Sequence, residues 1–463
     1  KQFGHGPSHP EIRHALKLPF MNSPLHSAHY RIPYFCLKLL AFIGAQAFLT
    51  YSASAIPNAV GGFLAQAESP LNDTEIGDRL LDPELWAGQL ELPGTWREEA
   101  PIASVKGSYL AARPKVMGLP AIMVQARHRE GKLDSLAITF ADAGSYFGYL
   151  NEKLPPGLSP RQQQAELQRR LAAKQQQFSS FFRKTETSLR DTLRELTEKR
   201  PRDNHIGKTR TLRAEVIDYQ KGNLALRLLV GNQRLIRLLI QPVDSITREW
   251  LDTDRSAMST SALSRVYEGR VTKPDNGDVL IGTLSIVPQG YKPYCGLNTL
   301  TMAARYFGLH LDEDWLAVAG KFQNTGSAAG SQLPRLYLAV AREAALDLHK
   351  SNDFSLNEAR KSIDQGLPVV VWRRFSGARN KAHSRQTLMA AKNPDYRIPR
   401  PDTAARDSWP DHKSPLHASV VVGYNPSRTE VLFVESWAGM KIPRRMRAEE
   451  MAATAYLTFY FKP

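Results

Sequence analysis

The stretch PQGYKPYCGLNTLTMAARYFGL, residues 288–309, decides how the C-terminal part of this chain is read. Cys295 follows a turn-prone segment containing Gly290 and Pro293, and an amphipathic run continues through Leu300, Ala303, Ala304 and Phe307. This pattern predicts a helix with the sulfur at or near its first turn. Unpaired amides and the positive end of the helix dipole stabilise a thiolate there. A cysteine packed inertly among apolar neighbours fits the same pattern. The loop context favours a nucleophile, as does Gly296, which lets a substrate backbone approach closely.

Three residues around this stretch supply what a thiol nucleophile needs. Gln289, six positions upstream, carries a side-chain amide able to donate to an oxyanion, a contribution of roughly 3–4 kcal/mol where it is made. His417 opens the apolar run ASVVVGY after a proline-containing loop. At a strand entrance an imidazole can face a cleft, take the thiol proton and return it to a leaving amine. Among the other histidines, His310, His349, His383 and His412 have no comparable sequence setting, and His412 is the nearest rival. Glu435 ends VLFV and precedes Ser436 and Trp437. It is a candidate to orient the imidazole, with Trp437 shielding the contact from water. The competing reading of Glu435 is a salt bridge to one of the arginines at 443–447.

The remaining C-terminal pattern runs from a helical middle ending near residue 365 to the strand LPVVVWR. A polar insertion at 376–412 follows, then the strands HASVVVGYN and EVLFVESWA and a closing YLTFYF. Helices first and antiparallel strands afterwards predict an α+β domain over 284–463.

Gln289, Cys295-Gly296, His417-Ala418 before VVVGY, and Glu435-Ser436-Trp437-Ala438-Gly439, in that order, resemble the papain-like cysteine peptidase superfamily, and within it the bacterial C39-like branch. DQGLPVVVW, ahead of the histidine strand, is also similar to that branch. The family usually carries Asn or Asp where Glu435 stands, and glycine where Ala438 stands. The resemblance implies a papain-like domain, with an N-terminal helix carrying Cys295 and an antiparallel sheet carrying His417 and Glu435. It implies hydrolysis of peptide bonds through an acyl-thioenzyme, a thiol protease activity with Gln289 in the oxyanion hole and Gly296 and Trp437 as cleft residues. Two other readings are carried beside it. One is a Cys-His amidase or transglutaminase-like acyl transferase; the other is a catalytically weak or inactive papain-like binding or scaffold protein. No cofactor and no metal site are expected, because the chemistry needs none and the histidines do not cluster at ligand spacings.

The N-terminal half reads as a different unit. AIMVQARHR and LDSLAITFA, separated by EGK, predict a hairpin. From about 160 to 200 a charged rod carries Leu167, Leu171, Phe178, Phe182, Leu189 and Leu193 on one stripe, which predicts a long helix with a packing face. TLRAEVIDYQ and LALRLLVGNQRLIRLLIQPV resume strand-like runs. The expected organisation is an α+β accessory module over 101–243 with the long helix inserted in it. A loosely structured lead-in over 56–100 precedes it, and a helical linker over 244–283 follows.

Residues 1–55 are read as a targeting segment. Arg31 and Lys38 precede the apolar stretch Leu39–Leu49, and Ala53-Ser54-Ala55 offers a small-residue cleavage site, the order of a secretory signal. Residues 1–20 lie upstream of Met21, the first methionine. Export with cleavage near Ala55 implies a secreted or periplasmic protein with no transmembrane domain in its mature form. Of the two cysteines, Cys36 lies within the targeting stretch, so Cys295 would be the lone thiol of the mature chain.

Composition sets the outer bounds. With 463 residues, 42% hydrophobic and 23% charged, the chain is an ordinary globular protein of two or three domains. Its net charge of +16 is dispersed, without aromatic interleaving. That suits an anionic envelope or protein partner, alongside a protein or peptide substrate; specific nucleic-acid binding is not expected. No phosphate loop, dinucleotide fingerprint or HExxH helix is present in the sequence.

Overall fold

The computed structural model describes residues 69–148, 155–197, 199–290, 292–323, 332–437, 439 and 442–463. The targeting reading of residues 1–55, Cys36 and Ala438 lie outside the described residues.

The hairpin expected around EGK is present. Glu130 and Gly131 both adopt positive φ, 51° and 79°, the conformation that a two-residue turn needs to match the strands' twist. Its strands belong to an antiparallel eight-stranded sheet, whose members are β1 (Trp96–Ile102), β2 (Val105–Leu110), β3 (Met123–Arg129), β4 (Lys132–Asp142), β5 (Arg202–Ile206), β6 (Ala214–Lys221), β7 (Leu224–Gly231) and β8 (Leu235–Pro242). Their spatial order is β1-β2-β3-β4-β8-β7-β6-β5. The run 224–243 forms two strands, because Asn232 and Gln233 turn the chain at positive φ.

Between β4 and β5 the 37-residue helix α1 (Pro160–Leu196) departs and returns. Ser159 starts it with a capping box to Gln162, and Pro160 takes the first helical position, where its missing N–H costs nothing. Its stripe is buried only in the C-terminal half: Phe178, Phe182, Leu189 and Leu193 enter the core with Ile138, Leu226 and Leu238. Each contributes roughly 2 kcal/mol of apolar burial. The helix stops at Leu196, earlier than 200, where the Thr197 hydroxyl turns back onto the Leu193 carbonyl at 2.6 Å.

The lead-in is firmer than its composition suggests, since Ile76, Leu80 and Leu81 join this same core. The segment 244–283 holds α2 (Thr260–Glu268). It is also tied down by Trp250, whose indole N–H donates to the Leu212 carbonyl together with that of Trp315.

The second sheet begins inside that segment, with β9 (Val271–Thr272) and β10 (Val279–Ile281). It continues through β11 (Asp347–Ser351), β12 (Val369–Arg374), β13 (Leu416–Asn425), β14 (Glu430–Val434), β15 (Arg444–Arg447) and β16 (Ala455–Lys462). The order is β9-β10-β13-β12-β16-β11, with β14 pairing both β13 and β15. Around it lie α3 (Cys295–Tyr306), α4 (Glu313–Ala319), α5 (Leu333–Glu343), α6 (Leu356–Asp364), α7 (Gly377–Lys392) and α8 (Ala448–Thr454). The architecture is thus α+β, with a long helical insertion ahead of a mixed α/β C-terminal part.

The strand period explains how the two sheets meet. On β8, Ile236, Leu238 and Ile240 face the α1 core, whereas Leu235 belongs to a core shared with Leu300, Leu316 and Val420. Arg237, on that second side, pairs with Asp312 at the start of α4. One face of the N-terminal sheet is therefore sealed by its own helix, and the other by the C-terminal helices.

Candidate functional site

Cys295 is the first residue of α3, as the sequence predicts, and is partly buried. The helix start is pinned from the side. Tyr337 of α5 donates its hydroxyl to the Gly296 carbonyl at 2.9 Å and accepts from the Trp372 indole at 3.0 Å. Gly296 serves this packing, since a Cβ added there would lie 3.1 Å from Leu333 Cδ2.

His417 enters β13 opposite Arg373 of β12 and is 2% exposed. Its ring stacks on Trp437, with centroids 4.8 Å apart and planes at 21°, and borders Phe375 at 5.3 Å. Its Nε2 lies 3.3 Å from Glu435 Oε1. Gln289 lies on the loop before α3 and is tied to the same turn as Glu435. Its amide N–H donates to the Ser436 carbonyl at 2.9 Å, and its side-chain oxygen accepts from the Ser436 hydroxyl at 2.6 Å. Cys295, His417, Glu435, Gln289 and Trp437 are thus drawn from three stretches, 289–295, 417 and 435–437, to one region.

The electrostatics depart from what the motifs imply. Glu435 is fully buried and shared among three cations or potential cations. Arg373 and Arg444 both hydrogen-bond its carboxylate, and Ser419 donates to it at 3.2 Å. Burial alone would push this carboxyl up; Arg444, Arg373 and His417 instead hold it far below the usual carboxylate range. The salt-bridge reading of Glu435 is realised, through Arg444 from within the arginine run at 443–447. Arg373 escaped the sequence reading, although an arginine closing the apolar run Val369–Trp372 was a legible signal. It is 2% exposed, and its Nε donates to the Ser419 hydroxyl at 2.9 Å.

The thiol and imidazole still sense one another. Burial raises the Cys295 thiol, but His417 and the Gly296 and Ala418 amides outweigh it and bring the thiol below its ordinary value. Burial lowers His417, but Cys295 and Glu435 outweigh it and hold the imidazole above its ordinary value. Proximity, however, is not alignment. Neither ring nitrogen of His417 completes a hydrogen bond with Cys295 or with any other described group.

The expectation of a working cysteine peptidase is therefore corrected. A thiol protease needs its base hydrogen-bonded to the nucleophile on one side and to an orienting group on the other. Here the imidazole lacks both bonds, and its carboxylate is bound by two guanidiniums. No group of three or more His, Cys, Asp or Glu side chains that could hold a metal ion occurs among the described residues. No helix among them is long and apolar enough to cross a membrane.

The domain carrying this region matches the model of the Peptidase_C39 like family over residues 283–461. Residues 283–461 are a C39-like domain. No curated protein matches the chain. Among solved structures, a protein from Bacillus anthracis, described only provisionally as a C39-like peptidase, is similar at 15% identity. The match covers 40% of this chain and 98% of that one, with a TM-score of 0.26. A superposition that slight carries neither fold nor activity across.

Proposed function

We propose that the C-terminal C39-like domain is a papain-like cleft that binds protein or peptide and hydrolyses it weakly or not at all. The carrying observation is the state of the His417–Glu435 pair: an imidazole with no completed hydrogen bond, beside a carboxylate already bound by Arg373 and Arg444. Two buried guanidiniums hold that carboxylate, and its approach to His417 Nε2 at 3.3 Å is not an aligned hydrogen bond. Cys295, Gln289, His417 and Glu435 then form a retained constellation, with Trp437 and Gly296 at the cleft. The segment 101–243 acts as an accessory module, and export rests on residues 21–55.

The test follows fluorescein-labelled casein with the full chain, reading polarisation for binding and small labelled fragments for hydrolysis. Binding that survives in Cys295→Ala, without fragments above that variant's background, is the expected result. Cys295-dependent fragments formed over many turnovers would overturn the reading, and so would the absence of any binding. Cross-linked rather than cleaved casein would point to acyl transfer.

A further inference from the structure

The loop that delivers Cys295 to the start of α3 is gripped from the N-terminal sheet. Asp142, at the end of β4, places Oδ2 3.0 Å from Lys292 Nζ. The same carboxylate accepts from the Gly144 and Ser145 amides at 2.9 and 2.8 Å, so its position is fixed by backbone. Asp314 and Glu313, at the start of α4, face Lys292 from the other side at 2.5 and 3.7 Å. Burial would lower the Lys292 ammonium, but Asp142, Asp314 and Glu313 hold it well above its ordinary value.

Two residues on, Tyr294 immediately precedes Cys295 and is 1% exposed. Its hydroxyl accepts from Arg234 Nη2 at 2.7 Å. Arg234 also donates to the Phe322 carbonyl at 3.0 Å, and its own carbonyl receives the Ala143 amide at 2.8 Å. Gly144 lies flat against the Tyr294 ring: a Cβ built there would fall 2.7 Å from the Tyr294 hydroxyl. The turn between β7 and β8 and the end of β4 together make a socket for Lys292 and Tyr294.

We propose that Asp142, Gly144 and Arg234 are positioning residues for Cys295, so that the N-terminal sheet sets where the thiol stands relative to His417 and the Ala418 amide. The role goes beyond the cleft's binding function, and it holds whether or not the cleft turns a substrate over. A buried ammonium held by three carboxylates and a buried phenol held by a guanidinium are costly to displace. The residues between them and the thiol are few.

The experiment measures the pH dependence of iodoacetamide alkylation of Cys295 in the full chain, followed on the tryptic peptide 271–305 so that Cys36 does not interfere. Gly144→Ala changes no charge and pushes Tyr294. It is expected to raise the thiol's apparent pKa by about one unit, seen as alkylation about tenfold slower at pH 6.5. Asp142→Asn separates position from field. Losing a negative charge nearby would by itself ease thiol ionisation, whereas losing the socket hinders it, and slower alkylation at pH 6.5 is expected. Arg234→Lys, which keeps the charge and much of the reach, should fall between these variants and the unmodified protein.

Leu193→Ala weakens the α1 core without touching the socket and is expected to leave the thiol unchanged. Unaltered or faster alkylation in folded Gly144→Ala and Asp142→Asn would overturn the proposal. So would an equal shift in Leu193→Ala, since the effect would then be one of general stability. Casein binding is read on the same samples: the thiol can shift while binding persists, so failure of this proposal is distinct from failure of the binding function.

Discussion

Two buried histidines of the C-terminal domain each meet a glutamate, and they titrate in opposite directions. His417 lies 3.3 Å from Glu435, beside a thiol. His383, on α7, lies 2.8 Å from Glu450 of α8, with Arg379 bonded to the same carboxylate. His383 is the better bonded of the two, yet burial keeps its imidazole below the ordinary value, with Arg373 and Arg444 adding to that against Glu450. His417 is raised because Cys295 and Glu435 both favour its charged form. A buried His–Glu contact is therefore no signature of chemistry here. The difference between the two sites is the neighbouring thiol and the number of guanidiniums on the carboxylate.

The two sites should differ most at their carboxylates. Glu435→Gln leaves Arg373 and Arg444 buried against a neutral amide, and about 3–5 kcal/mol of stability should be lost in urea denaturation. Glu450→Gln frees Arg379, whose side chain is 17% exposed, so water can replace the partner. A loss of about 1.5–3 kcal/mol is expected. Equal losses would mean that the second guanidinium on Glu435 adds nothing.

Next comes the thiol. His417→Gln should slow iodoacetamide alkylation of Cys295 about tenfold at pH 6.5, by removing the group that most favours the thiolate. His383→Gln should leave that rate alone. A His417→Gln rate equal to that of the unmodified protein would show that the Gly296 and Ala418 amides hold the thiolate unaided.

The smallest effect is a pH slope. Because folding holds His383 below about 6.5, its ordinary value, the unfolded chain binds more protons just under that pH. The contribution of a neutral His383 is intact above about pH 6.5 and is lost as pH falls from there through its folded value. Glu450 is held down to about 2, with burial opposing and His383 and Arg379 favouring the charge. Its share is lost only below its ordinary range, in a separate window. Thermal midpoints between pH 5 and 7 should show this acid-side loss, and His383→Gln should flatten it. Flattening by His417→Gln instead would reverse the contrast between the two histidines.

How much was legible follows from how local each feature is. The EGK hairpin, the helix starting at Pro160 and the strands at 369–374, 416–425 and 455–462 are all carried by short-range patterns, and these appear where the sequence puts them. The strands at 271–272, 279–281, 347–351 and 444–447 are short or charged, and they exist because a neighbouring strand offers its edge. The setting of His383 was missed for the same reason, since its partner Glu450 comes from a different helix.

By itself the sequence determined the order Gln289, Cys295, His417, Glu435, the helix that begins at the cysteine, and the C39-like character of residues 283–461. Turn chemistry, apolar period and motif spacing are properties of the chain alone. Only the tertiary structure decided what those residues are worth to one another. It brought Arg373 and Arg444 onto Glu435, left the imidazole of His417 without an aligned hydrogen bond, and set the loop of Cys295 into a socket on the N-terminal sheet. Charge balance and hydrogen-bond direction in a dry interior depend on ångström placement across strands far apart in sequence, and no pattern along the chain encodes that.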